Sequence, residues 1–234
     1  MPIKEIRKKL KSLENKERAQ ILQRFFKTGP GEYGEGDIFL GIRVPDLRSI
    51  VREFPSVTIA ETLELLSSPK HEERLLALLM LVRLYAKGDR ARKKEIFETY
   101  LENTRFINNW DLVDSSASQI VGNYLSDKSR KPLYVLARSK DLWERRISMI
   151  ATFYFIKRGE FSDTFEIAKI LLSDSEDLIH KAVGWMLREV GKHSFADEES
   201  FLKQHYKLMP RTMLRYAIEK FPESERQRYL KGKI

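Results

Sequence analysis

The sequence predicts an all-α protein built as a solenoid of paired helical repeats. Three observations predict it. Apolar residues recur three and four apart along almost the whole chain, which is the period of amphipathic helices. Strand-like alternation is scarce. Four segments also align on one another at a near-constant interval. They are "SPKHEERLLALLML" from Ser68, "TRFINNWDLVDSSA" from Thr104, "SKDLWERRISMIAT" from Ser139 and "SEDLIHKAVGWMLR" from Ser175, with starts 36, 35 and 36 residues apart. That interval falls in the range of paired-helix solenoids, in which each unit buries its apolar face on its neighbours.

The elements follow in order. "IKEIRKKLKSL" and "RAQILQRFF" open the chain as two amphipathic helices. A connector rich in glycine, "TGPGEYGEGD", follows from Thr28 to Asp37 and reads as a flexible turn near the binding surface. It lacks the Gly-Lys-Ser/Thr ending of a P-loop. "RLLALLMLVRLYA", "ERRISMIATFYFI" and "HKAVGWMLREV" supply the central helices, and "NNWDLVDSSASQIVGNYL" reads as one more helix from Asn108 to Leu125. Asn108 or Asn109 is its natural cap, with Asp111 in the first turn. Pro and Gly punctuate the boundaries at Pro45, Pro55, Pro69, Gly88, Pro132, Gly159, Pro210 and Pro222. The count comes to about fourteen short helices, in one domain spanning 1–234. Eight residues into each repeat copy stands an apolar residue of the buried type: Leu76, Leu112, Ile147 and Val183.

Composition narrows the function. The chain has 234 residues, 42% hydrophobic and 33% charged, enough for a substantial core. Lys and Arg outnumber Asp and Glu 43 to 34, a net +9 that favours a polyanionic partner, nucleic acid before membrane. With no cysteine, disulfides, Cys-based zinc sites and iron–sulfur clusters are excluded, which suits the cytoplasm. The first residues, "MPIKEIRKKLKSLENK", hold no apolar signal-peptide core, and the longest apolar run, Leu75 to Val82, is too short to span a bilayer. His71, His180, His193 and His205 show no metal-ligand spacing, and no Ser-His-Asp or Cys-His order is persuasive.

The repeat register gathers the unusual residues. Six residues into each copy stand Arg74, Trp110, Arg145 and Lys181; ten in stand Leu78, Asp114, Met149 and Trp185. Trp110 and Asp114 are four apart and so share one helical face. Trp185 occupies Asp114's equivalent place two copies later, and Arg188 is on Trp185's face. Asp114 lies too deep in its helix to serve as a cap. Large aromatics at helical spacing are usually core, and Trp143 is read so; Trp110 and Trp185 stand apart by their place in the register. Trp110, Asp114, Trp185 and Arg188 are expected on one concave face.

At these residues the chain resembles a known family. "FLGIRVPDLRSI", "NNWDLVDSS", "LWERRISMI" and "HKAVGWMLREVGK" are similar, in order, to the helical-repeat alkylpurine DNA glycosylases of the AlkD family. The similarity runs from the first helices to the region of Lys192. It implies a curved solenoid of HEAT-like antiparallel helical repeats that cradles duplex DNA and removes cationic purines alkylated at ring nitrogen three or seven. By the same resemblance Asp114 is catalytic, and Trp110, Trp185 and Phe25 contact the lesion. Arg146, Arg188 and Arg43 bind the DNA backbone. The resemblance implies no cofactor and no metal; the expected partner is duplex DNA containing alkylated purines, and the expected form a monomer. Two departures stand out: Asn109, where a second Trp can occur, and Phe25, where some members have a Tyr.

The chemistry expected of such a site is simple. A cationic purine leaves without protonation, so one carboxylate suffices to stabilise the oxocarbenium-like sugar and to place water. The competing expectation is a non-catalytic helical scaffold for structured DNA or another polyanion, which needs the bases alone and gives no reason for Trp110, Asp114 and Trp185.

Overall fold

The computed structural model describes residues 2–234. Among them every regular element is helical, as the sequence predicts. The exception is one isolated parallel bridge between Ile38 and Lys70. The chain divides into two compact units, Met1–Ser116 and Ala117–Ile234.

The first unit holds α1 (Pro2–Ser12), α2 (Lys16–Phe25), α3 (Val44–Glu53), α4 (Ile59–Leu66), α5 (His71–Lys87), α6 (Arg90–Glu102) and the short α7 (Trp110–Asp114). The second holds a π-helical turn at Ser118–Gly122, then α8 (Lys131–Leu136), α9 (Leu142–Ala151), α10 (Phe153–Ile156) and α11 (Ser162–Leu171). It ends with α12 (Asp177–His193), α13 (Phe195–His205), α14 (Arg211–Ala217) and α15 (Glu223–Leu230).

Local chemistry sets many of the boundaries. Thr58 and Glu61 form a reciprocal capping box at the start of α4. Asn15, Asp89, Asp141 and Ser194 each accept a backbone N–H at the start of a helix, satisfying donors the helix cannot pair internally. The repeat register appears in the packing. Leu76, Leu112, Ile147 and Val183 are all fully buried.

The hydroxyl residue that opens a copy also finds its reason. Ser68 Oγ accepts the N–H of Lys70, and Ser139 Oγ accepts that of Asp141. Six residues later an arginine reaches back to the same carbonyl: Arg74 Nη1 to Ser68 O at 3.0 Å, and Arg145 Nη1 to Ser139 O at 3.1 Å. Each arginine is further held by an aspartate, Asp37 or Asp174. Helix starts α5 and α9 are therefore built by one repeated device.

Two expectations need correction. The segment 108–125 is not one helix. Its helical run stops after Asp114, where the Ser115 and Ser116 hydroxyls both donate to the Leu112 carbonyl, at 3.2 and 2.6 Å. Serine side chains that bond nearby backbone offer it an alternative to the helix ladder, and here two do so in succession.

The glycine-rich connector, in turn, is a tightly bonded turn. Glu32 and Glu35 accept the N–H groups of Gly29 and Gly31, Gly34 N–H donates to Lys27 O, and Asp37 at its end is buried. Gly34 is needed by space: a Cβ there would stand 2.6 Å from the Phe26 carbonyl oxygen.

Candidate active site

The site in the first unit starts from the end of α2. Phe25 points outward at 63% exposure, while Phe26, the next residue, is buried. Their rings meet edge to face, 5.1 Å apart. Trp110, the first residue of α7, lies flat against Phe26, with centroids 5.1 Å apart and planes 12° from parallel. Phe25 meets the same indole edge-on at 6.1 Å. Phe26 stacks in turn on Phe39. Trp110 is half-buried, so one part of its ring is used in packing and the rest stays open.

Asp114 ends α7, one turn from Trp110, and is half-buried. Its charge is felt by the fully buried Tyr100, whose hydroxyl pKa is raised by burial first and by Asp114 in addition. Tyr100 and Ser116 are hydrogen-bonded at 2.9 Å. Ser116 spends its one proton on the Leu112 carbonyl, so Tyr100 is the donor of that pair. The Tyr100–Ser116–Leu112 chain thus braces the C-terminal end of α7 from below.

Beneath Trp110 runs a polar network that sequence reading did not foresee. Asp37, buried at the end of the glycine-rich turn, receives Arg74 Nη2 at 2.6 Å, and Asn109 Nδ2 and His71 Nδ1 each at 3.2 Å. The other ring nitrogen of His71 lies 2.8 Å from Asp111 Oδ2. Asn109 caps α7 by accepting the Trp110 N–H. Its position, the departure noted in the sequence, is thus filled by a residue that ties α7 to the turn. Arg74 carried a signal, since the repeat register singles it out. Asp37 and His71 carried none, because their meeting joins residues 34 apart.

The second unit holds Trp185, Arg188 and Arg146. Trp185 lies half-buried on α12, beside Phe153, with its indole N–H donated to Glu189 at 2.9 Å. Lys192 binds the same carboxylate. The glycine before Trp185 is a matter of space: a Cβ on Gly184 would stand 2.4 Å from the Met213 carbonyl, where α14 crosses α12. Arg188 is 17% exposed and paired with Glu219.

Arg146, which the resemblance makes a DNA-backbone contact, is buried. It is 4% exposed, and its guanidinium donates to the Leu178 carbonyl, because α9 turns that face into the core of its unit. Arg43, at the start of α3, is exposed and forms a surface pair with Asp46 at 2.9 Å.

A family model described as DNA alkylation repair enzyme matches residues 6–221, nearly the whole chain. The chain belongs to the DNA alkylation repair enzyme family. A solved structure, a predicted DNA alkylation repair enzyme from Enterococcus faecalis, shares the fold of this family member. The two superpose with a TM-score of 0.69 over 90% of this chain and 97% of the other, at 14% sequence identity. Comparison with curated proteins gives no match. A role in DNA alkylation repair follows from the family. Among the described residues, no helix of this alkylation repair protein is long and apolar enough to cross a membrane.

Proposed function

We propose that this protein is a DNA glycosylase that hydrolyses the N-glycosidic bond of cationic alkylated purines in duplex DNA, with Asp114 as the catalytic carboxylate. The observation that carries the reading is the pairing on α7. A half-open indole, Trp110, is anchored on Phe26, and a half-buried carboxylate, Asp114, stands one turn away. An aromatic wall suits a flat cationic base or the sugar face beside it. As the bond to the base breaks, positive charge moves from purine to sugar. A fixed carboxylate near that sugar gains attraction as the charge arrives and so lowers the barrier.

The leaving purine is already cationic and needs no proton, so no general acid is assigned. Phe25 and Trp185 are the further lesion contacts in this reading, and Arg43 and Arg188 the backbone contacts, with the net +9 supplying the long-range attraction to DNA.

Single-turnover release of 7-methylguanine from duplex DNA tests it. Asp114→Asn keeps the shape and removes the charge. It is expected to leave DNA binding near wild type and to slow release on the order of a hundredfold. Hypoxanthine, a neutral base that needs protonation to leave, is expected to be a poor substrate. Full activity in Asp114→Asn removes the catalytic assignment, and efficient hypoxanthine release removes the mechanism.

A further inference from the structure

α7 is five residues long, too short to hold its own geometry through intrahelical bonds. What fixes it lies outside it. Asp111, in its first turn, meets His71 Nε2 with its Oδ2 as the acceptor. Among the described residues its Oδ1 is buried without a partner. Asn109, the cap, is held by Asp37, and Asp37 faces the other nitrogen of the same imidazole. The residues on both sides of Trp110 are therefore tied to one His71–Asp37 pair. The ring of His71 is itself clamped, stacked 4.4 Å from Phe39 and tilted against Phe26 at 5.2 Å, the ring on which Trp110 rests.

A neutral imidazole has one N–H and one lone pair. Between two carboxylates, one of its contacts would set a lone pair against an anion. Only the imidazolium donates to both.

We propose that protonated His71, clamped between Asp37 and Asp111, is a positioning residue that fixes the α7 turn and hence the aim of Trp110 and Asp114. For its effect on catalysis this rests on the glycosylase reading above; the positioning itself does not.

The charges around the ring agree. Burial pulls the His71 pKa down. The hydrogen bond and charge of Asp111, then Asp37, more than reverse this against the repulsion of Arg74, and the pKa is pushed up to about 9. The groups facing the ring are Asp37 from the turn, Asp111 from α7 and Arg74 from its own helix. The remaining neighbours are the apolar rings of Phe26, just past α2, and Phe39. The neighbouring acids of α5 are engaged elsewhere: Glu72 by the N–H groups of Leu40, Gly41 and Ile42, and Glu73 by Arg7 and Lys70.

The test follows the imidazole and Trp110 separately from excision. Heteronuclear NMR of the full chain is expected to show both His71 nitrogens protonated at neutral pH. The Trp110 indole N–H resonance should shift as His71 loses its proton near pH 9. His71→Gln retains one donor but cannot titrate, so in it the indole shift should vanish. The ratio of wild-type to His71→Gln excision rates should fall about tenfold through the same range, the kind of loss a slightly misplaced group produces. Titration of the lesion cancels in that ratio.

A neutral His71 at neutral pH overturns the proposal. So does a Trp110 resonance that ignores the titration, or a rate ratio independent of pH in an enzyme that does excise. If the wild type releases no base, the glycosylase reading fails by itself, and the indole resonance alone decides the positioning.

Discussion

Trp110 lies flat on Phe26, 5.1 Å between centroids and 12° between planes, while the neighbouring Phe25 stays exposed and meets it edge-on. One member of the Phe pair belongs to the core and the other to the surface, and the indole bridges them. Such a contact contributes roughly 0.5–1.5 kcal/mol beyond the area it buries. The orientation it imposes matters more for a site than that energy does.

Trp110→Ala should therefore cost little stability and much activity. Its half-buried ring predicts a loss of roughly 1–2 kcal/mol in urea unfolding, below the ~3–5 kcal/mol of a fully buried large-to-small change. Base release should fall by a larger factor than that loss of folded protein explains. A stability loss in the full core range, matched by the loss of activity, would assign Trp110 to structure alone.

Two arginines expected to act alike should separate. Arg146 is buried and satisfies the Leu178 carbonyl. Its replacement by alanine removes that hydrogen bond from a charged donor inside the unit, so Arg146→Ala should lower unfolding stability by about 1–3 kcal/mol. Arg188 is partly exposed and held by Glu219. Arg188→Ala should spare the fold and reduce the log–log salt slope of duplex binding by about one contact. Because Glu219 competes with phosphate for the same guanidinium, Glu219→Gln should tighten binding a few-fold at low salt, the scale of a surface pair. Binding isotherms over a salt series, with thermal unfolding alongside, check all three. An Arg146→Ala protein as stable as wild type would place that side chain at the surface instead.

Glu198 offers a pH test of the second unit. It is 2% exposed, and its Oε1 is buried with no hydrogen-bond partner among the described residues. Burial pushes its pKa up to about 8, against the attraction of Arg188. The folded state thus holds a proton that the unfolded chain releases near its ordinary 4.5. The resulting contribution is fully present below that value and is lost as pH rises through about 8. Glu198→Gln removes the titration while keeping the shape. Its stability relative to wild type should rise between those two pH values and level off above, by on the order of a few kcal/mol in all. Denaturant midpoints measured across that range give the curve, and a flat difference would refute the buried-acid reading.

Much of this protein was legible in its sequence. The 3.6-residue period fixed the helical class, because an amphipathic helix must bury one stripe and the stripe is written locally. The repeat interval located Leu76, Leu112, Ile147 and Val183 in the core and marked Trp110 and Asp114 as misfits worth explaining. It also flagged Arg74 and Arg145, whose shared bond to the opening carbonyl is short-range and so recurs with the repeat.

Other features were decided only by tertiary structure. Nothing local shows that Arg146 turns inward or that the glycine-rich turn ends in a buried carboxylate. Least visible was the meeting of Asp37, His71 and Asp111, which brings together a turn and two helices from across the first unit. Periodicity reports which face of a segment is apolar. It carries no information on which polar groups are brought out of water together, and a buried charge is tolerated only when distant residues supply its partners.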